Sequence, residues 1–169
     1  MSNIVVLGAG LSGTLMAYEL VPQLRPGDRL RVITDTPRYH FVPSNPWVAI
    51  GWRKRSAIEI DLADIMRGKN IDFLTQGARR LFPNENRIEL TDGTSVSYDF
   101  LVVATGPELA FDEIPGLGPD ANTQSVCRVD HAEKAKDAFD RFIANPGPVV
   151  IGAAQGASCF GPAYEFLFM

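Results

Sequence analysis

The amino-acid sequence predicts an α/β fold: a parallel sheet with a three-stranded antiparallel meander inserted into it, followed by the start of a second domain of similar type. Three observations support this prediction. A strand, a glycine-rich turn, a helix and a second strand follow one another within about 32 residues, which is the order and length of a βαβ unit. The hydrophobic period then changes to two over residues 79–96, as in antiparallel strands. Beyond residue 148, an apolar run again leads into a glycine-rich turn.

The first half of the chain supplies the parallel sheet and its helices. Its apolar runs are bounded by glycine, proline and acidic residues, which are typical of short turns between buried strands. In chain order we predict a strand at 3–7, a helix at 11–24, a strand at 29–34, a loop rich in proline and aromatic residues at 39–52, a short helix at 61–68 and a strand at 71–74. The run LVVATG at 101–106 has the apolar character of a parallel strand buried on both faces.

The antiparallel insert consists of three short segments with alternating polarity. Their sequences are RRLF, RIEL and SVS. The turn signals Pro83-Asn84-Glu85-Asn86 and Asp92-Gly93 separate them, and such turns join antiparallel neighbours directly. We therefore predict a small β-meander.

The second half of the chain begins with a loop and an amphipathic helix. Asp130 is a plausible N-cap for a helix at 130–143, and a proline-glycine turn at 145–148 leads to a strand at 149–151. We assign residues 1–110 to a Rossmann-like domain with the meander insert, 111–145 to a connecting segment and helix, and 146–169 to the start of a second Rossmann-like domain. The apolar run at 166–169 leads us to expect that the sequence stops inside a helix of a larger protein.

Composition excludes several classes of function. Hydrophobic residues make up 46% and charged residues 21%, as in ordinary globular proteins. The net charge of −4 argues against nucleic acid as a partner. No apolar run approaches the roughly 18 residues of a membrane helix, and no leader precedes the first strand. We therefore expect no signal peptide and a location in the cytoplasm or peripheral on the membrane. The 2 cysteines form neither a secreted disulfide framework nor a CxxC site, and no metal site is predicted.

The sequence GAGLSG at residues 8–13 fits the pattern G-x-G-x-x-G and lies between the first strand and the first helix. In this context Gly8 makes a tight turn, Gly10 lets the backbone approach a pyrophosphate, and Gly13 lets helix and strand pack closely. The helix N-terminus offers free N–H groups to the phosphates. The alternative, a turn that needs glycine only for packing, is the weaker one in this context. We therefore predict dinucleotide binding.

The meander before the Ala104-Thr105-Gly106 stretch indicates which dinucleotide is bound. This arrangement resembles the FAD domain of flavoproteins with two dinucleotide-binding domains, the pyridine nucleotide–disulfide oxidoreductase superfamily. A simple NAD dehydrogenase is expected to continue its βαβ units without such an insert. We therefore expect FAD in the domain at 1–110, with Thr34 or Asp35, at the end of the second strand, on the ribose hydroxyls.

The second glycine-rich turn, at residues 152–157, departs from the pattern. Ala154 replaces its middle glycine, and a Cβ there crowds the place of a pyrophosphate, so we do not expect NAD(P)H at this site. Cys159 lies just beyond the turn, where a helix is expected to begin. A helix N-terminus stabilises a thiolate. From the residues alone, a core thiol and a reactive thiol remain equally acceptable for Cys159.

Four segments together resemble the sulfide:quinone oxidoreductase family. They are FVPSNPW at 41–47, ATGP at 104–107, VCRVDHAE at 126–133 and GASCFGPAYE at 156–165. The resemblance covers essentially the whole chain, with the motifs in order, and FVPSNPW and SCFGPAYE are its specific strings. Type II NADH dehydrogenases are similar in layout, but their corresponding loop usually lacks SNPW and they have no counterpart of Cys159.

The resemblance implies a function and a set of site residues. Enzymes of this family oxidise sulfide at a redox-active cysteine pair beside FAD and pass two electrons to a membrane quinone. Cys159 matches one member of the pair, whose partner lies downstream of this chain. Cys127 matches a third, auxiliary cysteine, and His131 and Glu165 match positions that help with protons. Flavin contacts carry over to Gly8, Gly10, Leu11, Ser12, Gly13, Thr34, Asp35, Pro43, Thr105, Gly106 and Ala110.

Other interpretations of the same residues remain open. From the residues alone, His131 is a histidine of the helix cap or surface, Glu165 lies on a solvated helix face, and the run RKR at 53–55 is a solvated turn. The alternatives to a sulfide oxidase are a type II NADH:quinone oxidoreductase and an isolated FAD-domain fragment without turnover. Peripheral membrane association is expected only from parts outside this chain, and the oligomeric state is not predicted.

Overall fold

The structure is a computed structural model that describes residues 1–157 and 159–169. Ser158, which belongs to the SCFGPAYE string, lies outside the described residues. Contacts between Cα atoms divide the chain into two units. The first unit comprises Met1–Tyr39 and Ile60–Glu108, and the second comprises His40–Glu59 and Leu109–Met169. The inclusion of 40–59 in the second unit was not predicted. The assignment of domains at 1–110, 111–145 and 146–169 stays a prediction.

The described residues form short strands and helices. The strands are β1 (Asn3–Leu7), β2 (Arg29–Ile33), β3 (Arg38–His40), β4 (Glu59–Asp61), β5 (Asp72–Leu74), β6 (Ala78–Phe82), β7 (Arg87–Leu90), β8 (Ser95–Ser97) and β9 (Phe100–Val103). The α-helices are α1 (Leu11–Leu20), α2 (Asn45–Ala49), α3 (Ala63–Gly68), α4 (Val129–Ala144) and α5 (Gly161–Phe168). Turns of 3-10 helix occur at Val21–Gln23, Val42–Ser44, Arg55–Ala57, Pro83–Glu85 and Phe111–Glu113.

The first unit is built on a four-stranded parallel sheet in the order β5-β2-β1-β9. Because side chains alternate along a strand, neighbouring valines of β1 enter different cores. Val6 packs with Ala17 of α1 and Met66 of α3 on one face. Val5 packs with Ile88 of β7 on the other. Helices therefore cover one face of the sheet and the antiparallel strands cover the other.

The antiparallel insert has the predicted three strands, in the order β6-β7-β8. Asn86, in the left-handed region at φ 48°, ends the turn between β6 and β7. Gly93, at φ 84°, lies in the turn before β8. The α/β fold with a parallel sheet and a separate meander is therefore confirmed.

The second unit packs the short helix α2 against the long helix α4. Val48 and Ala49 of α2 are buried in one cluster with Val129, Ala132 and Ala135 of α4. The sequence predicted only a loop at 39–52. Pro46 is compatible with this helix because it lies in the first turn, where a backbone N–H would have no intrahelical acceptor.

The strand predicted at 149–151 is absent from the described residues, so that prediction is wrong. Val149 and Val150 are 62% and 95% exposed, and no strand pairs with them in the described part of the chain. An apolar run becomes a strand only when a neighbouring backbone satisfies its N–H and C=O groups. Among the described helices, none combines the length and apolar character needed to cross a membrane.

Candidate functional site

The glycine-rich loop at residues 8–13 lies at the carboxyl edge of the parallel sheet. The Gly8 N–H donates to the Ile33 carbonyl at 2.8 Å, which joins the ends of β1 and β2. The Ala104 N–H donates to the Leu7 carbonyl at 2.7 Å, which joins the ends of β1 and β9. Ligands of open α/β sheets bind at this edge.

Two of the three loop glycines are enclosed by backbone. Gly8 has φ 105°, and a Cβ there would lie 2.2 Å from the carbonyl oxygen of Ala104. A Cβ on Gly13 would lie 2.0 Å from the carbonyl oxygen of Gly8. Real Cβ contacts are essentially never that short. A side chain on Gly8 would therefore push the loop away from the end of β9, and a side chain on Gly13 would push α1 away from the loop.

Gly10 has different surroundings, because a Cβ added at this position would have no neighbouring atom within 4 Å. It is the N-cap of α1, and no side chain caps this helix. The Thr14 N–H donates to the Gly10 carbonyl, which is the first hydrogen bond of the helix. The N–H groups of Leu11, Ser12 and Gly13 come before it and have no acceptor within the helix. Free donors beside an open space form the type of site that binds a diphosphate. The loop therefore fits the diphosphate of FAD.

Thr14 holds the loop in this shape and was not singled out from the sequence. Its hydroxyl donates to the Ala9 carbonyl at 3.1 Å. A hydroxyl directly after a G-x-G-x-x-G pattern is the only signal the sequence gives, and it is too common to identify this role.

Of the two residues predicted to bind a ribose, only one has an exposed side chain. Thr34 is 7% exposed, and its hydroxyl accepts the Thr36 N–H at 3.4 Å. Asp35 is exposed. Thr105 and Gly106 follow β9 at the same edge of the sheet and are exposed, and Gly106 has φ 77° with open space around it. The geometry therefore favours Asp35 over Thr34 as the ribose contact.

The two other predicted flavin contacts belong to the second unit. Pro43 is exposed in the turn Val42–Ser44. Ala110 is exposed and directly precedes the turn Phe111–Glu113. Their contacts with FAD, like those of the loop residues, stay predictions.

Both cysteines are exposed free thiols. Cys159 precedes the first residue of α5 by two positions, and Glu165 is exposed on that helix. Cys127 precedes α4, and its N–H donates to the Ser125 hydroxyl oxygen at 3.2 Å. In the described part of the chain, no hydrogen bond or ion pair joins Cys159 to Cys127, His131 or Glu165. Their roles in catalysis therefore stay predictions.

His131 is half-buried near the start of α4. Its ring lies 5.6 Å from the ring of Phe111, and its Nδ1 lies 3.4 Å from the Ser125 hydroxyl oxygen. Burial lowers the pKa of His131, and the positive charges of Arg128 and Lys134 lower it further. The neutral imidazole, which is able to accept a proton, is therefore favoured in the folded protein.

In the basic run at 53–55, Arg53 and Lys54 are exposed, as a solvated turn requires, but Arg55 is partly buried in a network of ion pairs. The Arg55 Nε donates to Glu59 at 2.5 Å, and its other nitrogens donate to Asp130 and, at 3.0 Å, to Glu133. The hydrogen bond from Arg55 holds the pKa of the Glu59 carboxyl below its usual range. Since Asp130 and Glu133 lie far from Arg55 in the sequence, no local pattern could have predicted this network.

Comparisons with known proteins identify the family. The family model described as pyridine nucleotide-disulphide oxidoreductase matches residues 2–156. The chain is 41% identical over 167 residues to the sulfide-quinone reductase of Aquifex aeolicus (strain VF5), covering 99% of this chain and 38% of that protein. An NADH dehydrogenase-like protein of Mycobacterium tuberculosis is 29% identical over 121 residues, covering 69% of this chain and 30% of that protein.

A solved structure also resembles the whole chain. The X-ray structure of the sulfide:quinone oxidoreductase from Aquifex aeolicus matches with a TM-score of 0.90 and 39% identity, over 100% of this chain and 38% of that one. The chain thus spans well under half the length of its relatives. Proteins of this family and the sulfide:quinone oxidoreductases are FAD-binding flavoproteins, which confirms FAD as the cofactor.

Proposed function

The chain belongs to the pyridine nucleotide-disulphide oxidoreductase family, and we propose that it is the N-terminal part of a sulfide:quinone oxidoreductase. The observation that carries this proposal is the resemblance of the whole chain, in sequence and in fold, to the Aquifex aeolicus enzyme. The complete protein would take two electrons from sulfide and deliver them with two protons to a quinone, giving zero-valent sulfur and quinol. We also propose peripheral membrane association, through parts outside this chain, because such quinones dissolve in the membrane.

The glycine loop would hold the FAD diphosphate. The N–H groups of residues 11–13 would donate to the phosphate oxygens beside Gly10, and Asp35 would accept hydrogen bonds from the ribose hydroxyls. When bound, FAD supplies an acceptor for the two electrons and a donor to the quinone. Thr105 and Gly106, exposed at the same edge, are proposed as further flavin contacts.

Cys159 would carry the sulfur chemistry together with a cysteine outside this chain. Hydrosulfide attacks a disulfide between the two, so that one S–S bond breaks as another forms and the leaving cysteine departs as a thiolate. His131, held neutral by burial, and Glu165 are proposed as proton acceptors during this cycle. Cys127 is proposed as an auxiliary thiol.

The proposal is tested by adding sulfide to the complete protein without oxygen and recording the visible flavin band. We expect the band to bleach with sulfide and to recover when a soluble quinone is added. The Cys159→Ser variant should keep the band and lose the response to sulfide. Persistence of the sulfide response in Cys159→Ser would contradict the assigned role.

An NADH:quinone oxidoreductase of type II layout is the second candidate, because the NADH dehydrogenase-like relative aligns with 69% of this chain at 29% identity. Ala154 in the second glycine-rich turn argues against it, since its Cβ crowds the place of a nicotinamide dinucleotide. Bleaching of the same band by NADH, with no response to sulfide, would establish this candidate instead. We propose that the 169-residue chain alone has no catalytic turnover. The visible spectrum of the purified chain tests whether it retains FAD.

A further inference from the structure

The end of β2 is held by the turn that follows β5. The Thr34 N–H donates to the Leu74 carbonyl at 2.9 Å, and the Thr34 carbonyl accepts a hydrogen bond from the Gly77 N–H at 2.8 Å. Both backbone polar groups of Thr34 are thus fixed by the segment 74–77, one residue before Asp35. The residue whose carboxylate is assigned to the FAD ribose therefore follows directly after a restrained backbone.

Gly77 also lies directly against Asp35. Gly77 is buried and has φ 72°, and a Cβ added to it would lie 3.3 Å from the Cβ and 3.5 Å from the Cα of Asp35. A contact of 3.3 Å is tighter than most real Cβ contacts, so Asp35 would have to move by a few tenths of an ångström. The missing side chain at position 77 therefore determines where the Asp35 carboxylate lies.

The antiparallel meander holds the same turn from the other side. The Thr91 N–H donates to the Gly77 carbonyl at 3.1 Å, and the Thr91 hydroxyl donates to the Gln76 carbonyl. Leu90, the neighbour of Thr91, is 2% exposed and lies in one core cluster with Ile33 of β2. The turn is therefore held between the end of β2 and the end of β7.

We propose that Gly77 and Thr91 are positioning residues for FAD, through which the meander holds the Asp35 carboxylate on the ribose hydroxyls and slows release of the cofactor. This role rests on the ribose contact of Asp35 in the proposed function, and it requires neither sulfide nor quinone. Sulfide-dependent bleaching of the flavin band is measured separately. The positioning role can therefore fail while the sulfide chemistry holds, and the reverse.

The first test measures FAD release from the complete, FAD-loaded protein, through the rise in flavin fluorescence after dilution. Gly77→Ala should release FAD about tenfold faster than the wild type, as expected when a hydrogen bond to a charged group is weakened. Gly93→Ala is the matched control, because Gly93 also has a positive φ, 84°, but a Cβ there would have no neighbour within 4 Å. Both variants should unfold at lower urea concentration, since alanine is strained at positive φ. Equal release rates in the two variants would overturn the proposal.

A double-mutant cycle tests whether Gly77 acts through Asp35. Asp35→Ala should itself release FAD about tenfold faster than the wild type. Adding Gly77→Ala should then change the rate less than about twofold, because no carboxylate remains to be displaced. A further tenfold increase, as for independent sites, would overturn the proposal, because Gly77 would then serve only the fold. An unchanged rate in Asp35→Ala would also overturn it, since no ribose contact would exist to be positioned.

The contribution of the meander is tested at Thr91. Thr91→Val removes the hydroxyl that donates to the Gln76 carbonyl and keeps the shape of the side chain. It should release FAD about threefold faster, the effect of one neutral hydrogen bond, and Thr91→Ser should restore the wild-type rate because it keeps the hydroxyl. An unchanged rate in Thr91→Val, or an equal increase in both variants, would overturn the role of Thr91.

Discussion

The three glycines of the loop at 8–13 serve different physical purposes. Gly8 and Gly13 are required by the fold itself, since a Cβ on either would meet a backbone oxygen at 2.2 or 2.0 Å. Gly10 faces open space, so the fold alone does not require it. Its requirement would arise from the ligand that approaches the backbone there.

We therefore expect Gly13→Ala and Gly10→Ala to fail in different ways. Gly13→Ala should lower the free energy of unfolding by at least about 2 kcal/mol, because backbone must move to admit the Cβ. Gly10→Ala should cost less than about 1 kcal/mol of stability but raise the Kd for FAD roughly thirtyfold, through displaced phosphate contacts. Thermal denaturation and flavin titration measure the two effects. Unchanged flavin affinity in Gly10→Ala would place the diphosphate elsewhere.

Burial of His131 makes stability depend on pH. Its pKa is lowered in the folded protein, chiefly by burial, so the unfolded chain binds the proton more readily. The contribution of neutral His131 to the free energy of unfolding is complete above the ordinary histidine pKa of about 6.5, and it is lost as the pH falls below that value. The fall in thermal stability from about pH 7 to pH 5 should therefore be smaller in His131→Gln than in the wild type. An equal fall in the two proteins would contradict this prediction.

Among the elements, the segment 40–59 is joined to α4 by charge as well as by apolar packing. Arg55 donates to Glu59 within the segment and to Asp130 and Glu133 on α4. The Nε2 of His40 lies 2.6 Å from the same Glu59 oxygen. Multiple hydrogen bonds to one guanidinium form a network, which stabilises more than an isolated exposed ion pair.

Arg55→Gln should accordingly lower the free energy of unfolding by about 1–2 kcal/mol at neutral pH, discounted because the Arg55 side chain is partly exposed. Arg67→Gln is the matched control, since Arg67 and Asp64 form an exposed pair on α3, and it should cost less than about 0.5 kcal/mol. Urea denaturation of the complete protein measures both. Equal effects of the two substitutions would show that the network contributes nothing beyond a surface pair.

The same network predicts behaviour in acid. The Arg55 hydrogen bond lowers the pKa of Glu59, so the stabilisation is present above the ordinary glutamate pKa and is lost as the pH falls below it. We expect the wild type to lose more stability between about pH 5 and pH 3 than Arg55→Gln does, because the variant no longer favours the charged carboxylate. Parallel pH profiles for the two proteins would contradict this.

Local patterns predicted some elements well and others poorly. The meander was predictable because its turns and alternation are local, and β1 because its apolar run leads into the glycine loop. The helix α2 was missed because its burial depends on α4, and α4 begins at Val129, far along the sequence from Ala49 at the end of α2. The strand at 149–151 was wrongly predicted because its pattern requires a neighbouring strand, which the described residues do not provide.

At the scale of the whole molecule, the first unit leaves apolar side chains exposed on an edge strand and a helix. Phe100 and Val103 of β9 are 62% and 60% exposed, and Leu11 and Leu15 of α1 are 71% and 58% exposed. No strand pairs with the outer edge of β9 among the described residues. Open strand edges and exposed apolar side chains favour association between molecules.

We expect the 169-residue chain, purified alone, to associate with itself as its concentration rises. Val103→Lys and Leu15→Lys should each reduce the association, because a charge on the edge or on the apolar face must be desolvated in any contact. Glu19→Lys, on an exposed polar position of α1, is the control and should not reduce it to the same degree. Sedimentation velocity measures the distribution, and a monomer at all concentrations would contradict the prediction.

The close approach of Gly8 to the Ala104 carbonyl also determines when the loop can take its shape. The first strand leaves the ribosome early, but the backbone that encloses Gly8 is made only after the meander has been translated. At about 5–20 residues per second, the nascent chain waits several seconds for that partner. We therefore expect cofactor loading to follow the synthesis of Ala104, although the glycine loop is among the earliest segments to emerge.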